Sequence, residues 1–151
     1  MGSFVNNSLI SGEEVVEEAK IGWLSQIGTF IVAAIFIVLG VSLPLPILFV
    51  GGAFAILMAI INIMTTELAV TNKKVIGKSG LIKRNALDMQ LTKCESVIVD
   101  QGILGRILNY GTVVVRGTGG TPSRFPYIDK PLDFRKRILE EMDKAQGSAK
   151  S

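Results

Sequence analysis

The chain has 151 residues, 48% of them hydrophobic, and a formal net charge of +3. It has no histidine and one cysteine. The first removes the commonest general base and metal ligand, and the second excludes an intrachain disulfide. The charge is uneven: residues 1–64 carry four acids and one base, whereas residues 65–151 carry nine acids and fifteen bases.

In chain order, residues 1–20 read as an acidic N-terminal tail followed by a short helix. Residues 1–10 have no pattern and read as flexible. Ser11-Gly12-Glu13-Glu14 fits a capping box, with Ser11 as N-cap and Glu14 at N3. A helix from there to Lys20 places its acids near a helix N-terminus, which favours them. The acidic start also argues against a secretory signal, which opens on basic residues.

Residues 21–64 contain no Asp, Glu, Lys or Arg. Two apolar runs, 21–43 and 45–64, flank Pro44 and Pro46. A membrane-crossing helix needs about 20 apolar residues. Proline cannot continue a helix interior, and the residue before it avoids helical geometry. The stretch therefore reads as a transmembrane helical hairpin with a short turn at 42–46. Trp23 suits the water interface, and Gln26 and Asn62 suit the headgroup level. Small residues recur at spacing four: Ser25, Thr29 and Ala33 in the first run, and Gly51, Ala55 and Ala59 in the second. Such stripes let helix backbones approach in lipid. They can serve packing within the hairpin or contact between copies, which makes them candidate helix-packing and oligomer residues. The lack of intramembrane charge argues against a channel or transporter subunit.

Beyond Thr65 the period changes from helical to alternating. Strands are expected at 67–71, 74–82, 84–91, 96–100, 112–116 and 124–128, with Gly77 loosening the second. A closing helix is expected at 130–145, where Phe134, Ile138 and Met142 form one apolar stripe. Residues 146–151 read as a disordered tail. The fold class is thus an α+β membrane protein: a helical hairpin at 21–64, then a small bent antiparallel sheet or barrel at 65–145 capped by a C-terminal helix. A domain of about eighty residues is near the lower limit for an unaided core, which favours a homo-oligomer.

Basic protein beside a membrane helix belongs on the cytoplasmic side. Both termini and the domain are therefore expected in the cytoplasm, with the protein integral to an inner or plasma membrane. Lys73, Lys74, Lys78, Lys83 and Arg84 are the candidate headgroup-binding residues, since each base near an anionic surface contributes about 1 kcal/mol. Nucleic acid is not an expected partner, because the bases are not interleaved with aromatics. No cofactor, metal site or catalytic constellation is expected: acids are scattered singly, and Cys94 reads as a small neutral residue.

Leu68-Ala69-Val70-Thr71-Asn72-Lys73-Lys74-Val75-Ile76, Gly80-Leu81-Ile82 and Leu91-Thr92-Lys93-Cys94-Glu95-Ser96-Val97 resemble segments of the bacterial pleckstrin-homology-like domains found on small membrane proteins. The clearest stretch is Gln101-Gly102-Ile103-Leu104-Gly105-Arg106-Ile107-Leu108-Asn109-Tyr110-Gly111-Thr112-Val113, followed by Gly119-Gly120. The resemblance covers about residues 20–142, including the two preceding membrane helices. It implies a seven-stranded bent sheet capped by a C-terminal helix, and no enzyme activity. Phosphoinositide binding is not carried over: the tryptophan that marks the C-terminal helix of the eukaryotic domain is missing, and Trp23 lies in the apolar run. Gly102, Gly105, Arg106, Tyr110 and Gly111 are read as a structural loop, with the glycines making turns, Arg106 and Tyr110 packing or capping it, and Ile103, Leu104, Ile107 and Leu108 filling the sheet. Two function classes follow. One is a non-enzymatic membrane-anchored interaction or scaffold module, assembling with itself or with other membrane proteins. The other is a sensor of anionic lipid headgroups.

Overall fold

The computed structural model describes residues 3–43, 45–80 and 85–148. Its elements in chain order are α1 (Ser3–Ser8), β1 (Val15–Glu18), α2 (Ile27–Ser42), α3 (Pro46–Met64), β2 (Glu67–Thr71), β3 (Lys74–Ser79), β4 (Asn85–Gln90), β5 (Cys94–Asp100), α4 (Ile103–Ile107), β6 (Tyr110–Gly117), β7 (Ser123–Asp129) and α5 (Pro131–Ser148). A 3-10 turn at Trp23–Gln26 leads into α2.

The hairpin forms where the apolar runs lie. Leu43 leaves helical geometry at φ −112°, ψ 116°, as a residue before proline must. Leu45 does the same at φ −111°, ψ 97°, and Pro46 then opens α3 at a position where its missing N–H costs nothing.

The strands form two antiparallel sheets, ordered β1-β2-β3-β4 and β5-β6-β7. Leu68 opposes Gly77 in the first, and Val113 opposes Phe125 in the second. The sheets pack face to face around Leu68, Val70, Val75, Val113, Val115 and Phe125, all fully buried. Gly77 is the point of closest approach: a Cβ there would lie 2.6 Å from the Phe125 ring and 2.8 Å from Leu68. The looseness expected of this glycine is therefore room for the opposite sheet. Helix α5 closes the core with Phe134, Ile138 and Met142, the expected stripe. Arg135 fastens it by donating from Nε to the Val97 carbonyl at 2.8 Å. The closing helix is present as the resemblance implies, but among the described residues the strands form two sheets in place of the single bent sheet, and one of the seven, β1, precedes the stretch that carries the resemblance.

The N-terminal expectation is corrected. Residues 15–18 are a strand, not a helix. Val15 pairs with Thr71 and Glu18 with Ala69, so β1 covers the edge that β2 would otherwise expose, a common need of edge strands. The capping-box residues make a turn instead: Glu13 N–H donates to the Ile10 carbonyl at 2.9 Å, and its carboxylate accepts from Ile10 N–H at 3.0 Å. The described part of the expected flexible tail contains α1, with Val5 fully buried and Phe4 N–H donating to the Glu67 carboxylate at 3.2 Å. The C-terminal helix continues through 146–148, in place of the expected disordered tail. Residues 149–151 lie outside the described residues.

Candidate functional site

Among the described residues, two helices are long and apolar enough to cross a membrane: Trp23–Ser42, with 20 residues, and Pro46–Met64, with 19. At 1.5 Å rise per residue each spans about 30 Å, the thickness of a bilayer's hydrocarbon core. They pack against each other through their small residues. Ala33 and Ala59 are buried. A Cβ on Gly52 would meet the Ala33 carbonyl at 3.3 Å, and one on Gly40 would meet the Phe49 ring at 3.1 Å. Gly51 faces Phe36, whose ring would stand 3.2 Å from a Cβ added there, and Ala55 is half-buried. Ser25 Oγ donates to the Gly22 carbonyl, and Thr29 Oγ1 to Gln26 Oε1 at 3.3 Å. The contacts at Gly40, Gly51 and Gly52 run between the two helices, whereas the bonds of Ser25 and Thr29 stay within the first run. The outward faces carry the large side chains, among them Ile31, Ile47, Val50 and Phe54, each more than half exposed.

Both ends of this hairpin are fastened to one domain. Ala19 N–H donates to the Leu68 carbonyl at 2.8 Å, Gly22 N–H to that of Tyr127 at 2.7 Å, and Asp129 N–H to that of Lys20 at 2.8 Å. The chain leaves the domain at Gly22 and re-enters it at Glu67. Gln26, expected at the headgroup level, is buried where the hairpin meets β6 and β7.

The candidate basic residues separate. Lys74 is buried, its Nζ 2.9 Å from the Asp88 carboxylate, 3.6 Å from that of Glu13, and 2.8 Å from the Ser8 carbonyl. Lys78 pairs with Glu67 at 2.9 Å and lies 5.6 Å from the Phe4 ring centre. Lys73 is exposed. Lys83 and Arg84 lie outside the described residues. Sequence reasoning assigns surface roles to Lys74 and Lys78, but Glu67 opposes Lys78 across the β2–β3 pairing, Asp88 reaches Lys74 from β4, and Phe4, Ser8 and Glu13 join them when the N-terminal segment folds over β2 and β3. The turn bearing Lys73 and Lys74 stands at the end of β2 remote from α3, about 17 Å along a strand of this length.

The structural loop is built differently from expectation. Gln101 holds it, its Nε2 donating to the carbonyls of Gly105 at 3.2 Å and Tyr110 at 3.0 Å. Gly105 and Gly111 permit close approach: a Cβ on the first would stand 2.6 Å from the Tyr110 carbonyl, and one on the second 2.6 Å from the Gln101 side chain. Gly102 is the N-cap of α4, and Asn109 takes φ +56°. Arg106 is exposed and does not cap the loop. Ile103, Leu104 and Ile107 do not fill the sheet. They are 81%, 59% and 74% exposed, while Leu108 is half-buried. The physical reason is that α4 is held to the sheet by Gly105, which leaves its long side chains on the outer side.

Two grooves flank Tyr127 and Pro126. One, of about 370 Å³, is lined by α4 residues with Asp100, Tyr110 and Thr112. The other, of about 380 Å³, is lined by Asn62, Thr65 and Thr66 at the end of α3, with Ser79 and Arg124. Cys94 is buried, and burial pushes its thiol pKa up. Among the described residues, no three His, Cys, Asp or Glu side chains stand together as a metal site.

No curated protein matches the chain. The family described as "Bacterial PH domain" matches residues 19–142, from the last residues before the hairpin to the last buried residue of α5, with α1 and β1 preceding it. That match covers most of the chain, so a domain fastened to both ends of an apolar hairpin is a member of the bacterial PH domain family.

Proposed function

We propose that this protein is a non-enzymatic, membrane-anchored interaction module. Its hairpin crosses the bilayer, and its PH-like domain serves as a scaffold at the cytoplasmic face for copies of itself or for other membrane proteins. PH-like domains are generally non-catalytic interaction modules, which supports the coarser part of this reading. The observation that carries the rest is the fastening of both hairpin ends to one domain, by bonds from Ala19 and Gly22 on one side and the continuous passage into β2 on the other. A two-helix excursion fastened in this way returns to the side it left. Helices with bulky apolar outer faces and no charge need a covering of lipid, and the net positive charge of residues 65–151 favours the cytoplasmic side for the domain.

Sensing of anionic headgroups through Lys73, Lys74, Lys78, Lys83 and Arg84 is the weaker reading. Two of those ammonium groups are already paired with carboxylates in the fold, so a lipid phosphate would have to displace an internal partner.

The test is extraction of membranes at alkaline pH, followed by native mass spectrometry of the full chain in mild detergent. The reading expects retention in the membrane fraction and a mass corresponding to several copies or to a complex with another membrane protein. Release at alkaline pH, or a uniform monomer without partners, would contradict it.

A further inference from the structure

We propose that α4 is a third membrane contact: its apolar face lies in the interfacial layer of the bilayer, with Arg106 among the lipid phosphates. This rests on the hairpin crossing the membrane.

The first observation is exposure. Ile107 neighbours both Ile103 at spacing four and Leu104 at spacing three, so the three join into one patch on the helix. Among the described residues of the domain beyond α3, five large hydrophobic side chains are exposed, and these are three of the five. The other two, Ile98 and Leu132, stand on different elements. Scattered single exposures need no explanation, but a contiguous group marks a binding surface.

The second is that the exposure is built. Gln101 bonds both ends of the loop, and Gly105 sits buried where any side chain would strike the Tyr110 carbonyl. The helix is thereby held to the sheet with its apolar side chains outward.

The third is position, and it decides the occupant. A Cβ on Gly22 would lie 3.4 Å from that of Tyr110, the first residue of β6 after α4. The next residue, Trp23, is 73% exposed and begins the first apolar helix. The groove beside α4 shares Thr112, Pro126 and Tyr127 with the groove at the end of α3. The α4 surface is therefore continuous with the points where both helices leave the domain. If the hairpin is in the bilayer, those points are at the headgroups and α4 is beside them. Arg106 is exposed on α4, and Arg124 is exposed and lines the groove at the end of α3, which suits lipid phosphates. Asp100 is the acid on the α4 groove. A short helix with an apolar face and a basic flank fits the interface plane.

The experiment uses the full chain in vesicles of mixed neutral and anionic lipid, with Cys94→Ala and one spin label introduced at a time by Phe54→Cys, Leu104→Cys or Thr118→Cys. Collision rates with oxygen, which enters lipid, and with a water-soluble nickel complex report depth. Phe54 lies on the outer face of α3. Thr118 follows the opposite end of β6 from Tyr110. The expected result is a deep label at 54, an aqueous label at 118, and an interfacial label at 104 whose oxygen-to-nickel ratio exceeds that at 118 several-fold. A label at 104 matching 118 while 54 is deep overturns the α4 contact and leaves the hairpin reading intact. A label at 104 shielded from both reagents shows a protein cover and likewise overturns it. An aqueous label at 54 overturns the hairpin reading together with the contact.

Discussion

The N–H of Ala19 and the carbonyl of Leu68 are joined by a 2.8 Å hydrogen bond, although the two apolar helices separate them in sequence. This bond continues the pairing of β1 with β2, where Glu18 opposes Ala69. The segment before the hairpin thus becomes part of the sheet that follows it. The order of events in folding is constrained accordingly, because β1 has no partner until the chain has returned through α3.

The buried charges at Glu13 and Lys74 make the N-terminal segment integral to the domain. Glu13 accepts from Thr71 Oγ1 at 2.6 Å and stands 3.6 Å from Lys74 Nζ. Removing one partner of a buried pair costs about 3–5 kcal/mol. Lys74 retains Asp88, so Glu13→Ala should cost about 3 kcal/mol, the lower end of that range. Thermal unfolding in detergent should show the loss, and an unchanged midpoint would mean that the pair contributes little.

Gly77 should resist substitution. A β-carbon there would overlap Phe125 at 2.6 Å, and overpacked cores typically lose about 1–3 kcal/mol. Gly77→Val is expected to lower the unfolding midpoint, and adding Phe125→Leu should restore part of it. Additive losses in the double variant would show that the two sites are not in contact.

Gln101→Ala removes both donors to the Gly105 and Tyr110 carbonyls. Unsatisfied buried acceptors cost about 1–3 kcal/mol. The local effect should be faster hydrogen exchange across residues 102–111, with little change in α5. Uniform acceleration throughout the domain would contradict a local clasp.

Cys94 gives a pH dependence. Burial raises its thiol pKa, so the fold favours the neutral form. That stabilisation is fully present below the ordinary thiol pKa and is lost as pH rises through the raised folded value. Native protein should therefore react with maleimide more slowly than unfolded protein at pH 8, and its alkaline loss of stability should diminish in Cys94→Ala. Equal rates for folded and unfolded protein would contradict the burial.

Much of this fold is legible from local pattern. The alternation at 67–71 places β2 at its observed bounds, and the stripe of Phe134, Ile138 and Met142 is the face that α5 buries. What is not legible is non-local. Val15 and Val16 are β-branched, but only the edge of β2 makes them a strand, and the local Ser-x-x-Glu signal points to a helix. Lys74 reads as surface because lysine usually is, and its burial depends on carboxylates from β4 and the N-terminal segment. Ile103, Leu104 and Ile107 read as core by composition, whereas Gly105 turns their helix so that they face outward. Gln101 lies inside the stretch that carries the family resemblance, yet nothing local distinguishes a clasping glutamine from an exposed one.

The claim at the centre of this account is that the turn between the helices and the domain stand on opposite sides of a membrane. Labelling of intact cells with an impermeant maleimide tests it directly, using Ser42→Cys and Lys73→Cys separately in a Cys94→Ala background. Both positions are exposed in the fold. The account predicts labelling of Ser42→Cys from outside, and protection of Lys73→Cys until the membrane is opened. Labelling of both positions from the same side would contradict it.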